Sequence, residues 1–282
     1  MFAIVGTVPE ESFPLSTGEV SLDKDKLCIQ GRSVPVNRGT PALMAAAIKV
    51  CQIFNTEPPF GYLIGDIGLG FGSKKLYEYL IQNIPSQLKI ITFHYLQPDV
   101  DWHNRILFAL EECASRPILI ADAGFMYMAK MSGEANAYDL FTPDVGELAF
   151  LADEKAPHPF YTRGFILQEE NKVPDLITRA YFHQNAPRYL LVKGKTDYLA
   201  SESGIIETVT KPATPALEAI GGTGDTLTGI ASGLIASGLD IEKACIAAAK
   251  VNRLAGYYAN PTPASQIIEI IQYIDKALKQ VL

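Results

Sequence analysis

Six short, almost unbroken apolar runs punctuate this chain: FAIVGTV (2–8), GYLIGD (61–66), LKIITFHYL (88–96), RPILIADA (116–123), YDLFTPD (138–144) and RYLLVKG (188–194). Runs that are apolar at nearly every position, rather than at every second one, suit strands covered on both faces. Between them lie segments with helical periodicity at 41–54, 73–83, 102–115 and 172–184. Strand and helix in alternation predict an α/β protein with three α/β/α layers and a mainly parallel central sheet.

Two stretches break the alternation. Residues 18–39 alternate polar and apolar around a charged turn, which predicts a small β-hairpin extension standing beside the main layer. Residues 197–210 predict a second hairpin, turning near Ser203 and Gly204. The rest reads as helical, at 225–237, 240–259 and 264–280. With no low-complexity linker or internal repeat, residues 1–282 are expected to form one domain.

Composition narrows the function classes. Of 282 residues, 48% are hydrophobic and 20% charged, enough for a large core, and the net charge is -7. A negative chain has no overall field for phosphate backbones or acidic lipid, so neither nucleic acid nor membrane is the expected partner. Cys28, Cys51, Cys113 and Cys245 are isolated, without a CxxC pair, and read as thiols in a reducing compartment. No basic segment precedes the apolar N-terminal residues, and no run reaches the roughly 18 to 20 apolar residues of a membrane span. The expectation is a cytoplasmic protein; its oligomeric state is left open, a homo-oligomer included.

The stretch GGTGDTLTG (221–229) carries the chemistry. Leu227, Ile230, Ala231, Leu234 and Ile235 recur at helical spacing, so a helix is expected from about Asp225. Gly221, Gly222 and Gly224 then form the loop before it, where free backbone amides and the helix dipole make an anion site. Asp225 at its lip could accept a proton from a hydroxyl attacking phosphorus. The plainer alternative is a helix cap behind a flexible turn.

Other motifs surround this one. In FTPDVGELAFLAD (141–153), Asp144 and Glu147 stand at a strand's C-terminal edge and could hold magnesium through water; a capping box would use the same residues. Lys193-Gly194 ends another strand where a lysine could meet a nucleotide phosphate or, more plainly, form a surface ion pair. Asp66 and the glycines of GDIGLGFGSKK (65–75) read as a substrate-side loop or a plain turn, since their spacing does not give a dinucleotide-binding GxGxxG in register. His94, Asp99, Asp101 and His103 crowd together, but Asp101 reads more simply as a helix cap than as a metal ligand.

Taken in order, GTPALMAAA, TPDVGEL, VKGKTD and GGTGDTLTG resemble the ribokinase-like superfamily, and within it the NAD(P)H-hydrate dehydratase branch, also known as carbohydrate kinase-related. The resemblance implies that Asp225 is the catalytic acid/base and that Gly222, Thr223 and Gly224 bind the phosphate. It also implies that Lys193, Gly194 and Thr196 lie along ATP or ADP, and that Gly39, Thr40 and Pro41 begin a helix near the acceptor with Asn37 close by; Asp66 and Asp144 read as further substrate contacts, and Mg2+ as the expected cation. The implied activity is dehydration of a hydrated nicotinamide nucleotide by phosphoryl transfer to its hydroxyl and elimination. A small-molecule kinase acting on a sugar or vitamin alcohol is the first alternative, and a non-catalytic nucleotide-binding protein the second. The chain departs from the dehydratase pattern at Asp144, where histidine is usual, and at Lys195, where a small residue is usual.

Overall fold

In the computed structural model, which describes residues 1–153 and 172–282, the apolar runs become strands hydrogen-bonded on both sides. β1 (Phe2–Val8) pairs in parallel with β5 (Phe60–Gly65) and with β6 (Ile90–His94). The parallel ladder continues from β6 through β7 (Ile118–Ala121) and β8 (Leu140–Phe141) to β9 (Tyr189–Val192). Successive residues point to opposite faces: Ile4 packs in one core, Ala3 and Val5 in the other. This is why the strands read as continuous apolar runs.

Two helical layers cover those faces. One contains α1 (Gly39–Phe54), α7 (Thr223–Ala236), α8 (Ile241–Ala259), α9 (Ile267–Ile271) and α10 (Ile274–Val281). The other contains α2 (Phe71–Gln82), α3 (Val100–Glu111), α4 (Gly124–Ser132), α5 (Val145–Ala152) and α6 (Val173–Phe182). The expected helix over 264–280 is two helices, α9 and α10, and α3 is capped by Asp99, not Asp101: Asp99 accepts from the Trp102 amide at 3.1 Å.

Both ends of the sheet are antiparallel. The segment expected as a hairpin or small sheet beside the main layer forms three strands at its edge. The first half of β2 (Ser16–Asp23) pairs with β5, and its second half with β3 (Lys26–Ile29), followed by β4 (Arg32–Pro35). At the far end β10 (Asp197–Ser201) and β11 (Gly204–Val209) complete, among the described residues, eleven strands in the order β11-β10-β9-β8-β7-β6-β1-β5-β2-β3-β4. The chain moves from β1 outward to β5 and then across to β6. Winding therefore reverses between β1 and β6, and sheets of this kind bind ligands above the strand ends at that reversal.

Candidate active site

Residue Gly6 near the end of β1 lies in register with His94 at the end of β6. A Cβ on Gly6 would stand 2.5 Å from Thr40 Oγ1 and 2.6 Å from the His94 carbonyl oxygen. Only the missing side chain lets the first turn of α1 settle over the reversal point. Helix α7 follows the same rule: Cβ atoms on Gly229 and Gly233 would meet the Leu43 carbonyl at 2.1 Å and Val50 Cβ at 2.9 Å. The apolar periodicity of residues 227–235 buries α7, and its glycines let it approach α1 closely.

That approach brings two helix N-termini together on one carboxylate. The Gly39 amide, at the start of α1, donates to Asp225 Oδ2 at 2.6 Å, and Asp225 lies in the first turn of α7. α7 starts at Thr223, two residues ahead of expectation, after Gly222 at φ +99°. His94 Nε2 lies 3.1 Å from Asp225 Oδ1, and His94 Nδ1 lies 3.0 Å from Thr40 Oγ1. Burial raises the Asp225 carboxyl, but the hydrogen bond from His94, the charge of Lys193 and the Gly39 amide together hold it below the ordinary carboxylate value.

A second buried carboxylate stands beside it. Asp122 follows β7, and both its oxygens lie 2.9 Å from Lys193 Nζ. Thr228 donates to Asp122 Oδ2 at 2.6 Å, so the Thr142 hydroxyl, 2.9 Å away, donates to Thr228. Burial lowers Lys193, yet the charges of Asp122, Glu147 and Asp225 outweigh it and keep the ammonium protonated. Ligand atoms of His94, Asp122 and Asp225 come within 4.8 Å of one another. Lys193 and Thr228 bond Asp122, and Gly39 and His94 bond Asp225, so the cluster forms one hydrogen-bonded network.

Pro143 explains how Lys193 arrives there. Lacking an amide, it ends β8 after Phe141, while its carbonyl accepts from the Lys193 amide at 2.8 Å. Asp144 then bridges to Lys193 and caps α5: Glu147 N donates to Asp144 Oδ1 at 2.7 Å, and Asp144 N donates to Glu147 Oε2 at 2.8 Å. The Glu147 carboxyl is pushed up to about 8, by burial first and Asp144 repulsion second, with Lys193 pulling the other way. Tyr127 donates to its Oε1 at 3.2 Å.

The structure thus brings Asp225, Thr223, Gly224, Lys193, Gly39 and Thr40 to one corner. A Cβ on Gly224 would lie 3.4 Å from Lys193 Cδ and 3.6 Å from its Nζ. Gly194 and Thr196 lie on the following turn, held by Arg253: its Nε donates to Asp197 Oδ2 at 2.7 Å, and Nη2 to the Gly194 and Lys195 carbonyls at 2.9 Å each. Asn37 is exposed just before α1. Asp66 is spent within its own loop, its Oδ1 accepting from the amides of Gly68, Leu69 and Gly70 and its Oδ2 from Ser73. Sequence reading missed Asp122 and Arg253, and it took His94 only as a metal candidate. A charged residue directly after an apolar run, as in ILIAD, was the available signal for Asp122.

Residues 97–275 match the Carb_kinase family, described as NAD(P)H-hydrate dehydratase. The chain belongs to this family. The Carb_kinase assignment makes it a carbohydrate-kinase-related enzyme of the kinase and dehydratase type. An uncharacterised protein of Methanocaldococcus jannaschii is 45% identical over 241 residues, 85% of this chain and 100% of that protein. The fold is ribokinase-like. A ribokinase-like superfamily protein from Enterococcus faecalis superposes with a TM-score of 0.61 at 16% identity, covering 99% of this chain and 87% of that one. Phosphofructokinase-2 of Escherichia coli, in complex with fructose-6-phosphate, gives 0.55 at 13% identity, covering 99% and 100%. Pyridoxal kinase of Staphylococcus aureus, in complex with AMP-PCP, gives 0.53 at 11%, covering 89% and 87%. Among the described residues of this Carb_kinase member, no helix is long and apolar enough to cross a membrane.

Proposed function

We propose that the protein is a nucleotide-dependent dehydratase of hydrated NAD(P)H, with Asp225 as its acid/base residue. One observation carries the reading: Asp225 sits where the N-termini of α1 and α7 meet, bonded to the Gly39 amide at 2.6 Å, with the protonated Lys193 alongside. Asp225 takes the proton of the substrate hydroxyl, and its depressed basicity is acceptable because phosphoryl transfer relies on positioning and electrostatics more than on a strong base. The free amides at Gly222, Thr223 and Gly224 and the Lys193 ammonium supply positive charge opposite it.

The donor set fits a nucleotide and a hydrated cation. Loop amides and the Lys193 ammonium stand beside Gly224, which suits phosphate oxygens; bound ATP or ADP would supply the phosphoryl group that turns the hydroxyl into a leaving group. Asp144 and Glu147, whose mutual repulsion contributes to the raised Glu147 carboxyl, are the pair that would hold Mg2+ through water. Gly194 and Thr196 would border the nucleotide, and Asn37, Gly39, Thr40 and Asp144 the acceptor.

A second reading, a small-molecule kinase, is favoured by Asp144. It stands where the dehydratases usually carry histidine and sugar kinases asparagine, nearer in shape to the latter. The deciding experiment supplies hydrated NADPH with ATP or ADP and follows the return of reduced-nicotinamide absorbance, with a panel of sugars and vitamin alcohols assayed for phosphate transfer. Restored absorbance is the expected result; a phosphorylated alcohol without it selects the kinase. Nucleotide binding without consumption in either arm sinks both.

A further inference from the structure

We propose that His94 is the positioning residue of Asp225: it donates Nε2–H to Oδ1, Thr40 fixes its ring from the opposite side, and the carboxylate is thereby aimed at the acceptor hydroxyl. The inference rests on Asp225 being the base. Among the described residues, two bonds from two different elements lock the Asp225 carboxylate, the Gly39 amide on Oδ2 and His94 on Oδ1. Neither bond alone would stop rotation about Cβ–Cγ; together they do.

His94 is itself immobilised. It is fully buried at the end of β6, its ring edge-on to Tyr95 at 4.3 Å, and Gly6 leaves the room that Thr40 occupies beside it. Because Asp225 is held as an anion, the ring nitrogen facing it carries the hydrogen. A neutral imidazole then has a lone pair on Nδ1, which accepts from the Thr40 hydroxyl at 3.0 Å. The other charged neighbour of the ring, Asp122 Oδ2 at 3.8 Å from Nε2, is already served by Lys193 and Thr228.

Around Asp225 stand Gly39 and Thr40 from α1, His94 and Tyr95 from β6 and its exit, Asp122 after β7 and Lys193 after β9. Of these, His94 supplies the largest influence opposing burial. Removing it leaves burial less opposed, so the Asp225 carboxyl should move upward.

The test uses full-length protein labelled with 13C at aspartate carboxyls, the Asp225 resonance being assigned by its loss in Asp225→Asn. In the wild type it should titrate below the ordinary value of 3.8, and nitrogen NMR should show a protonated Nε2 and a bare Nδ1 on His94. His94→Ala should move the carboxyl midpoint upward; Thr40→Val, close in shape, should move it in the same direction by freeing the tautomer. In turnover, His94→Ala should lose about 100-fold in kcat, the scale of a misplaced reacting group, with nucleotide KM little changed. His94→Gln, which keeps an N–H near the same place, should recover much of it. A carboxyl midpoint that stays put in both His94→Ala and Thr40→Val overturns the proposal, as does a bare Nε2. The titration needs no turnover: a wild type that consumes no nucleotide refutes the enzymatic reading above, and the NMR still decides this one.

Discussion

Gly39 and Asp225 are 186 positions apart in the chain, yet the amide of one and the carboxylate of the other are 2.6 Å apart. The first residue of α1 and the first turn of α7 thus share a single charged contact. Much of the chemistry expected of this protein depends on the packing that keeps them together.

Asp225→Asn should reduce turnover ~100- to 10,000-fold, the usual cost of losing a positioned base. The amide is nearly isosteric and the fold should persist. Thermal melting and nucleotide consumption, measured on the same preparation, check this, and activity near that of the wild type would remove Asp225 from the role.

Gly229→Ala should force α1 and α7 apart, because the new methyl would lie 2.1 Å from the Leu43 carbonyl. Overpacking of this kind costs about 1–3 kcal/mol. Denaturant unfolding measures it, and the variant should also lose activity, since the Gly39 to Asp225 bond lengthens with the helix spacing. Unchanged stability would show that the two helices have slack.

Lys193→Met removes the partner of a buried carboxylate. Breaking a buried pair costs about 3–5 kcal/mol, because Asp122 keeps its charge without compensation. The double variant Asp122→Asn with Lys193→Met should regain much of that stability while remaining poor at consuming nucleotide. Chemical denaturation of the singles and the double, closed as a cycle, separates structural pairing from phosphate binding.

Asp66 makes a pH prediction. Burial raises its carboxyl, but the amides of Ser73, Gly70 and Gly68 and the Ser73 hydroxyl bring it below the ordinary value of 3.8. A carboxyl lowered in the folded state stabilises the fold above its unfolded pKa and loses that contribution as pH falls through the folded value. The melting temperature should therefore drop on acidification below about pH 4, and Asp66→Asn should flatten that part of the profile while lowering stability at neutral pH. A variant profile parallel to the wild type throughout would contradict it.

Much of the architecture was legible because strands buried on both faces leave a long, local signature, as β1 and β6 do. GGTGDTLTG was legible for a similar reason: loop, helix start and carboxylate are contiguous. Asp122, His94 and Arg253 were not, since each acts across a long sequence separation on a partner that no local pattern names. His94 was read with Asp99, Asp101 and His103, its neighbours in the chain; the strand ends at His94 and turns the others elsewhere, Asp99 to cap α3 and His103 to meet the Tyr138 hydroxyl at 2.8 Å. Asp66 was read either as facing a ligand or as part of a plain turn; in the fold its carboxylate accepts from the amides that follow it, contacts the local pattern of glycines did not spell out.

Asn252 donates to the Thr223 carbonyl at 3.0 Å, and its side-chain oxygen accepts from Thr226 at 2.7 Å, while Arg253, the next residue, grips the turn at Gly194 and Lys195. Consecutive residues of one helix thus tie the start of α7 to the turn after β9, so the spacing between those two segments is fixed by a single rigid element.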